Sequence, residues 1–191
     1  MKVTYSDLKN KRVFISGGGS GIGATIVEYF CEQKSEVYFI DIDLKSSNKL
    51  IKKIKKNGFR VPKFIECNIL DVKKLQNIIK DIISKKGAIH CLINSAANDD
   101  RHTTEQVDEK YWENRMGINL KHYFFAAQAV VKGMKKIKSG SIVNLSSVSW
   151  MLGEGDKVVY ETAKSAVVGL TRSFAQEFGK YNIRTNSVIP G

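Results

Sequence analysis

The stretch RVFISGGGSGIGATIVEYF, residues 12–30, passes from an apolar run through a cluster of glycines into apolar positions at helical spacing. A strand that enters a glycine turn and leaves it as a helix is the opening of a parallel α/β unit. The glycines admit positive φ and let backbone N–H groups approach a diphosphate at the helix N-terminus. Their spacing is Gly17-x-x-x-Gly21-x-Gly23, whereas a Gly-x-Gly-x-x-Gly reading fails because Ile22 stands where the third glycine belongs. A glycine cluster can also be only a tight connection. The strand before it and the helix after it favour the ligand-binding reading.

The same alternation continues outward. EVYFI, VPKFIE, HCLIN, GSIVNLS and IRTNSVI read as further strands. GIGATIVEYFCEQ, LKSSNKLIKKIKKN, VKKLQNIIKDIISKK, KHYFFAAQAVVKGMKKI and YETAKSAVVGLTRSFAQEFGKY read as helices with one apolar stripe each. Strand and helix in turn predict a single α/β domain over residues 1–191, a doubly wound parallel sheet with helices on both faces. No linker, repeat or low-complexity segment divides it. Such a sheet binds its ligand at the carboxyl ends of its strands.

Asp41 ends the second strand, 20 residues beyond Gly21. A carboxylate there accepts hydrogen bonds from ribose hydroxyls and repels a 2′-phosphate, which favours NAD over NADP. Ser20 and Ile42 are uncharged where a phosphorylated cofactor would want a cation. The alternative for Asp41 is a strand-end cap.

Composition narrows the function classes. Lys and Arg total 31 against 19 Asp and Glu, a balance of +12 that raises nucleic-acid binding. Runs such as KLIKKIKK place those lysines on the solvated face of an amphipathic helix, and no aromatic-interleaved basic motif accompanies them, so no nucleic-acid partner is expected. Cys31, Cys67 and Cys91 are widely separated and read as buried thiols. His90, His102 and His122 lack metal-ligand spacing, so no metal site is expected. The opening residues carry Asp7 and no apolar run, and YFFAAQAVV is too short to span a bilayer. Neither a signal peptide nor a membrane partner is expected, and a cytoplasmic protein is.

VYETAKSA, residues 159–166, puts Tyr160 and Lys164 one helical turn apart on one face. Taken with SGGGSGIG, Asp41, NSAA, NLSS and IPG in this order, it makes the chain resemble the short-chain dehydrogenase/reductase family along essentially its whole length. The resemblance implies a Rossmann-type sheet of about six strands in the order 3-2-1-4-5-6. It implies a catalytic set of Asn119, Ser147, Tyr160 and Lys164, with Ser147 chosen over Ser146 because it precedes the tyrosine by 13 residues. It implies cofactor contacts from Gly17, Gly19, Ser20, Gly21, Ile22, Gly23, Asp41, Asn68, Ile69, the run from Asn94 through Ala96 to Ala97, Tyr160, Lys164, Pro190 and Gly191. Ser16, Asn68, Ser95 and Ala97 depart from the family's usual residues.

A phenol titrates near ~10, so use as a base at neutrality requires a shift worth roughly 4 kcal/mol. An ammonium at ~4 Å supplies about that at an effective dielectric of ~20, but only about 1 kcal/mol in bulk water. The pair therefore works only in a shielded site. Tyr160 is expected to take the proton of a substrate hydroxyl as hydride leaves for NAD, with Ser147 bonded to the same oxygen and Asn119 linking Lys164 to solvent through water. Within the family, the chain is most similar to NAD-dependent aldose 1-dehydrogenases of the D-xylose type. Asn98, Arg101, His102 and Trp150 are the candidates for binding a sugar or alcohol. The resemblance also implies a homodimer or homotetramer paired through FFAAQAV and ETAKSAVVGL. A family member would continue past Gly191 into a substrate lid and a last strand, so an open sixth strand and a wetter site are expected. The alternatives are a catalytically weak NAD-binding protein, a dehydrogenase for another sugar, polyol or secondary alcohol, and a basic nucleic-acid binder.

Overall fold

The computed structural model describes residues 3–191. Its strands are β1 (Arg12–Ser16), β2 (Glu36–Asp41), β3 (Lys63–Glu66), β4 (Cys91–Asn94), β5 (Gly140–Leu145) and β6 (Ile183–Val188). All pair in parallel, in the order β3-β2-β1-β4-β5-β6. β3 and β6 are the edges of this sheet.

Side-chain alternation divides the core between the two faces. Val13, Ile15, Val37, Phe39 and Ile93 pack with Val27 and Cys31 of helix α1 (Gly21–Glu32) and Leu50 and Ile54 of α2 (Leu44–Lys56). Phe14, Tyr38, Ile40 and Leu92 turn the other way. They meet Leu75 and Ile79 of α3 (Val72–Lys86), Val130 and Met134 of α5 (His122–Ile137), and Phe174 and Phe178 of α7 (Val158–Phe178). Each such buried side chain contributes about 1.5–3 kcal/mol, so a one-residue slip in β1 would exchange two faces' worth of packing.

Local chemistry sets the helix ends. The Asp43 carboxylate accepts from the Ser46 N–H and the Asp71 carboxylate from the Lys74 N–H, capping α2 and α3. Lys53, Lys55 and Lys56 close α2 with the favourable sign for its dipole. α1 differs, because Ser20 makes no side-chain cap. Two α-helical pieces lie outside the predicted elements, α4 (Glu109–Met116) and the short α6 (Ser149–Leu152). α4 buries none of its residues completely, so it leaves no apolar stripe in the sequence. A π turn, Gly117–Lys121, joins α4 to α5. No helix among the described residues is long and apolar enough to cross a membrane.

Candidate active site

The carboxyl ends of the strands open into a cleft of about 820 Å³. Gly17, Ser20, Ile22 and Gly23 form one end of its lining, with Asp41, Asn68, Ile69, Ala96 and Ala97 nearby; Ser147, Tyr160, Lys164, Pro190 and Gly191 line the rest.

The turn after β1 leaves no room for a side chain at Gly17 or Gly23. At Gly17, where φ is +68°, an added Cβ would lie 2.5 Å from the Ala96 Cα, and at Gly23 it would lie 1.9 Å from the Gly17 carbonyl oxygen. Gly19 and Gly21 are not part of the lining, and the Gly19 N–H donates to Asp41 Oδ2 at 2.8 Å. The other Asp41 oxygen accepts from the Asp43 N–H at 2.9 Å. Asp41 thus fastens the glycine turn to the end of β2 while its carboxylate lines the cleft. The first N–H groups of α1 have no side-chain cap, as an anion site requires. An open helix start, a turn closed to Cβ atoms and a carboxylate one strand away fit a dinucleotide.

Tyr160 and Lys164 share one face of α7, with the Lys164 Nζ over the Tyr160 ring, 5.5 Å from its centroid. Lys164 is 1% exposed. Its Nζ donates to the Tyr123 hydroxyl at 2.9 Å and to the Leu145 carbonyl at 2.8 Å. Burial pulls its pKa down from 10.5 to about 8. Tyr160 moves upward, first because of burial, with Asp99 and Glu154 adding to the rise; hydrogen bonding to Ser147 and the charge of Lys157 oppose it. In the protein alone the Lys164 ammonium donates to Tyr123 and Leu145, and burial of the phenol outweighs the effects that lower its pKa.

The two serines after β5 separate. Both line the cleft, but Ser146 Oγ is committed to the Lys164 carbonyl, to which it donates at 2.7 Å, whereas Ser147 Oγ lies 2.9 Å from Ser149 Oγ. Asn119 lies in the π turn, and both ends of its carboxamide hold the backbone of Asn98, each at 2.9 Å. It is a fastener for the loop after β4. Among the described residues it makes no direct hydrogen bond to Lys164, whose Nζ donates to Tyr123 and Leu145.

Several expected contacts fall elsewhere. The Asn94 side chain is fully buried and donates to Asn144 Oδ1 at 2.9 Å, outside the cleft lining. Of the four substrate candidates, only Asn98 lines the cleft. Arg101 pairs with Asp156. His102 is 6% exposed and holds the start of α7, its Nε2 accepting from the Val159 N–H at 3.2 Å. Its Nδ1 lies 2.9 Å from the Tyr111 hydroxyl. Trp150 also lies outside the lining. In their place the cleft mouth presents Asp99, Glu154 and Lys157.

Sequence reasoning also missed the buried partners beneath the cleft. Tyr123 follows Asn119 by one helical turn, a signal available in the sequence; its hydroxyl donates to the Leu145 carbonyl at 2.9 Å and receives Lys164. His122 is completely buried, its pKa lowered to about 3 chiefly by burial and then by the Lys164 charge. Its Nε2 lies 3.4 Å from Ser16 Oγ, which accepts from the Ser95 and Ala96 N–H groups. Among the described residues no cluster of three or more His, Cys, Asp or Glu is arranged to hold a metal ion.

Comparison with known proteins gives a consistent assignment. Residues 11–191 match the family model described as short chain dehydrogenase. The chain is 39% identical to a probable galactose dehydrogenase of Rhizobium meliloti and 41% identical to a D-xylose 1-dehydrogenase of Caulobacter vibrioides, each over 98% of this chain and 73% of the relative. Among solved structures, the ligand-free aldohexose dehydrogenase of Thermoplasma acidophilum superposes with a TM-score of 0.85 at 29% identity, over 97% of this chain and 68% of that one. With this match running through the glycine turn, the strand order and the tyrosine–lysine helix, the chain belongs to the short-chain dehydrogenase family.

Proposed function

We propose that this chain oxidises the anomeric hydroxyl of an aldose such as D-xylose to a lactone, with NAD as the cofactor. The observation that carries the reading is that Ser147, Tyr160 and Lys164 line the same cleft as the glycine turn and Asp41. The two sugar-dehydrogenase relatives support the substrate class. When bound, the oxidised dinucleotide supplies the hydride acceptor and a further positive charge.

The chain's own residues do the rest. Gly17 and Gly23 keep the turn free of side chains, and the uncapped start of α1 receives a diphosphate. The Asp41 carboxylate accepts from ribose hydroxyls, and its charge disfavours a 2′-phosphate. Tyr160 removes the proton of the anomeric hydroxyl, while the Ser147 hydroxyl donates to the same oxygen and keeps it oriented. Lys164, anchored by Tyr123 and Leu145, holds a positive charge under the ring, and that charge favours the phenolate. The proposal extends to a cytoplasmic homodimer or homotetramer. Exposed Phe124 on α5, 42% accessible, and the open surface at Gly169 on α7 suit helix pairing.

The test is a panel of pentoses and hexoses assayed with NAD⁺ and NADP⁺ by absorbance of the reduced cofactor. Turnover of one or more aldoses with NAD⁺ preferred is the expected result. Cofactor binding with no turnover of any sugar, or a preference for NADP⁺, contradicts the reading.

A further inference from the structure

Lys157 is an unusual residue for its place. It is the N-cap of the 21-residue helix α7, three residues before Tyr160, and it makes no side-chain cap. A cation at a helix N-terminus has the unfavourable sign for the helix dipole. It is also nearly buried, at 7% exposure, although lysine is seldom buried without full pairing. Its Nζ pairs with Glu154 Oε2 at 2.5 Å, and among the described residues that is its one hydrogen-bonding partner. An ammonium has three donors, so two are left without a protein acceptor. Both side chains line the cleft.

The loop that brings them together is specifically shaped. Gly153 and Gly155 flank Glu154 with φ of +68° and +82°, conformations that side chains rarely adopt. The Glu154 N–H donates to Glu161 Oε1 at 3.0 Å, which ties the loop to the first turn of α7. Asp99 adds a second carboxylate to the cleft lining. The mouth therefore offers spare donors on one ammonium and acceptors on two carboxylates, a set suited to neighbouring hydroxyl groups. With carboxylates outnumbering the ammonium at the mouth, it is unsuited to an anionic substrate.

We infer that the Lys157–Glu154 pair is the specificity-determining contact for an uncharged sugar, the ammonium donating to one ring hydroxyl and the carboxylate accepting from its neighbour. This rests on the aldose reading above and assigns residues to it that neither the glycine turn nor the Ser–Tyr–Lys set includes.

The test pairs variants with substrates. Lys157→Met is expected to raise KM for the preferred aldose at least tenfold while KM for the dinucleotide stays within twofold, and Lys157→Arg to recover most of the loss. In the parent chain, one member of a series of monodeoxy sugars should show a raised KM that Lys157→Met no longer distinguishes from the full sugar. The aldose phosphorylated at its primary hydroxyl should be turned over poorly by the parent. Glu154→Gln, at a more exposed position, reads the same contact if Lys157→Met fails to fold, with an expected rise in KM of threefold or more. A parental KM in a folded variant, or unchanged discrimination across the whole deoxy series, overturns the inference and leaves the aldose reading intact. Absence of turnover with every aldose by the parent chain overturns both.

Discussion

The two ends of the cleft are built in opposite ways. At the cofactor end, backbone does the work: Gly17 and Gly23 have no space for a Cβ, Gly19 donates to Asp41, and the first turn of α1 is open. At the end proposed for the substrate, side chains do it: Lys157 with Glu154, and Asp99 beside the loop that Asn119 holds. Backbone geometry tolerates almost no substitution, whereas a charged mouth can be rebuilt one residue at a time. A fixed cofactor cradle can therefore serve many substrates.

That contrast is broken most severely at Gly23. A methyl group there would meet the Gly17 carbonyl at 1.9 Å, so α1 must shift away from the turn. Gly23→Ala is expected to cost about 1–3 kcal/mol of stability and to weaken dinucleotide binding by two orders of magnitude or more, measured by fluorescence quenching of the folded variant. Near-parental binding would mean that the turn is not a tight cradle.

A smaller effect sharpens the comparison at the point where the two ends meet. Folding carries Lys164 from an ordinary 10.5 to about 8, so below pH 8 the folded protein bears the cost of a buried charge. Between pH 8 and 10.5 the unfolded chain holds a proton that the folded one has released, and stability from this group rises with pH across that window. The whole gap corresponds to about 3 kcal/mol, offset in part by the hydrogen bonds to Tyr123 and Leu145. Lys164→Met is therefore expected to be more stable than the parent by about 1 kcal/mol at pH 7 in urea titrations, with the gain shrinking toward pH 10. Turnover should fall by at least about 100-fold. A variant less stable at pH 7 would show that those hydrogen bonds outweigh the buried charge.

The same contrast explains what was legible in the sequence. Strand order followed from alternation and the family pattern, and Asp41 from its distance to Gly21, because backbone turns leave fixed spacings. The pairing of Arg101 with Asp156 joins residues 55 positions apart. The seat of His102 against Tyr111 and the Val159 N–H was equally hidden, since a buried histidine and a charged loop look alike in one dimension. α4 escaped detection because it buries no stripe, although Asp108 capping the Tyr111 N–H at 2.6 Å was a readable start signal. The direction of the Asn94 side chain was hidden for a related reason. Its neighbours Ala96 and Ala97 do line the cleft, but its own side chain turns inward to Asn144, which in turn donates to Thr171 at 3.0 Å. Lys157 was overlooked because it was one lysine among many.

The central claim is that Tyr160 takes a proton in a cleft that also cradles a dinucleotide, and Tyr160→Phe tests it with the least ambiguity. Steady-state oxidation of the preferred aldose should drop by at least about 100-fold, with NADH affinity, read by fluorescence in the same preparation, changed less than threefold. Turnover within tenfold of the parent would contradict the claim.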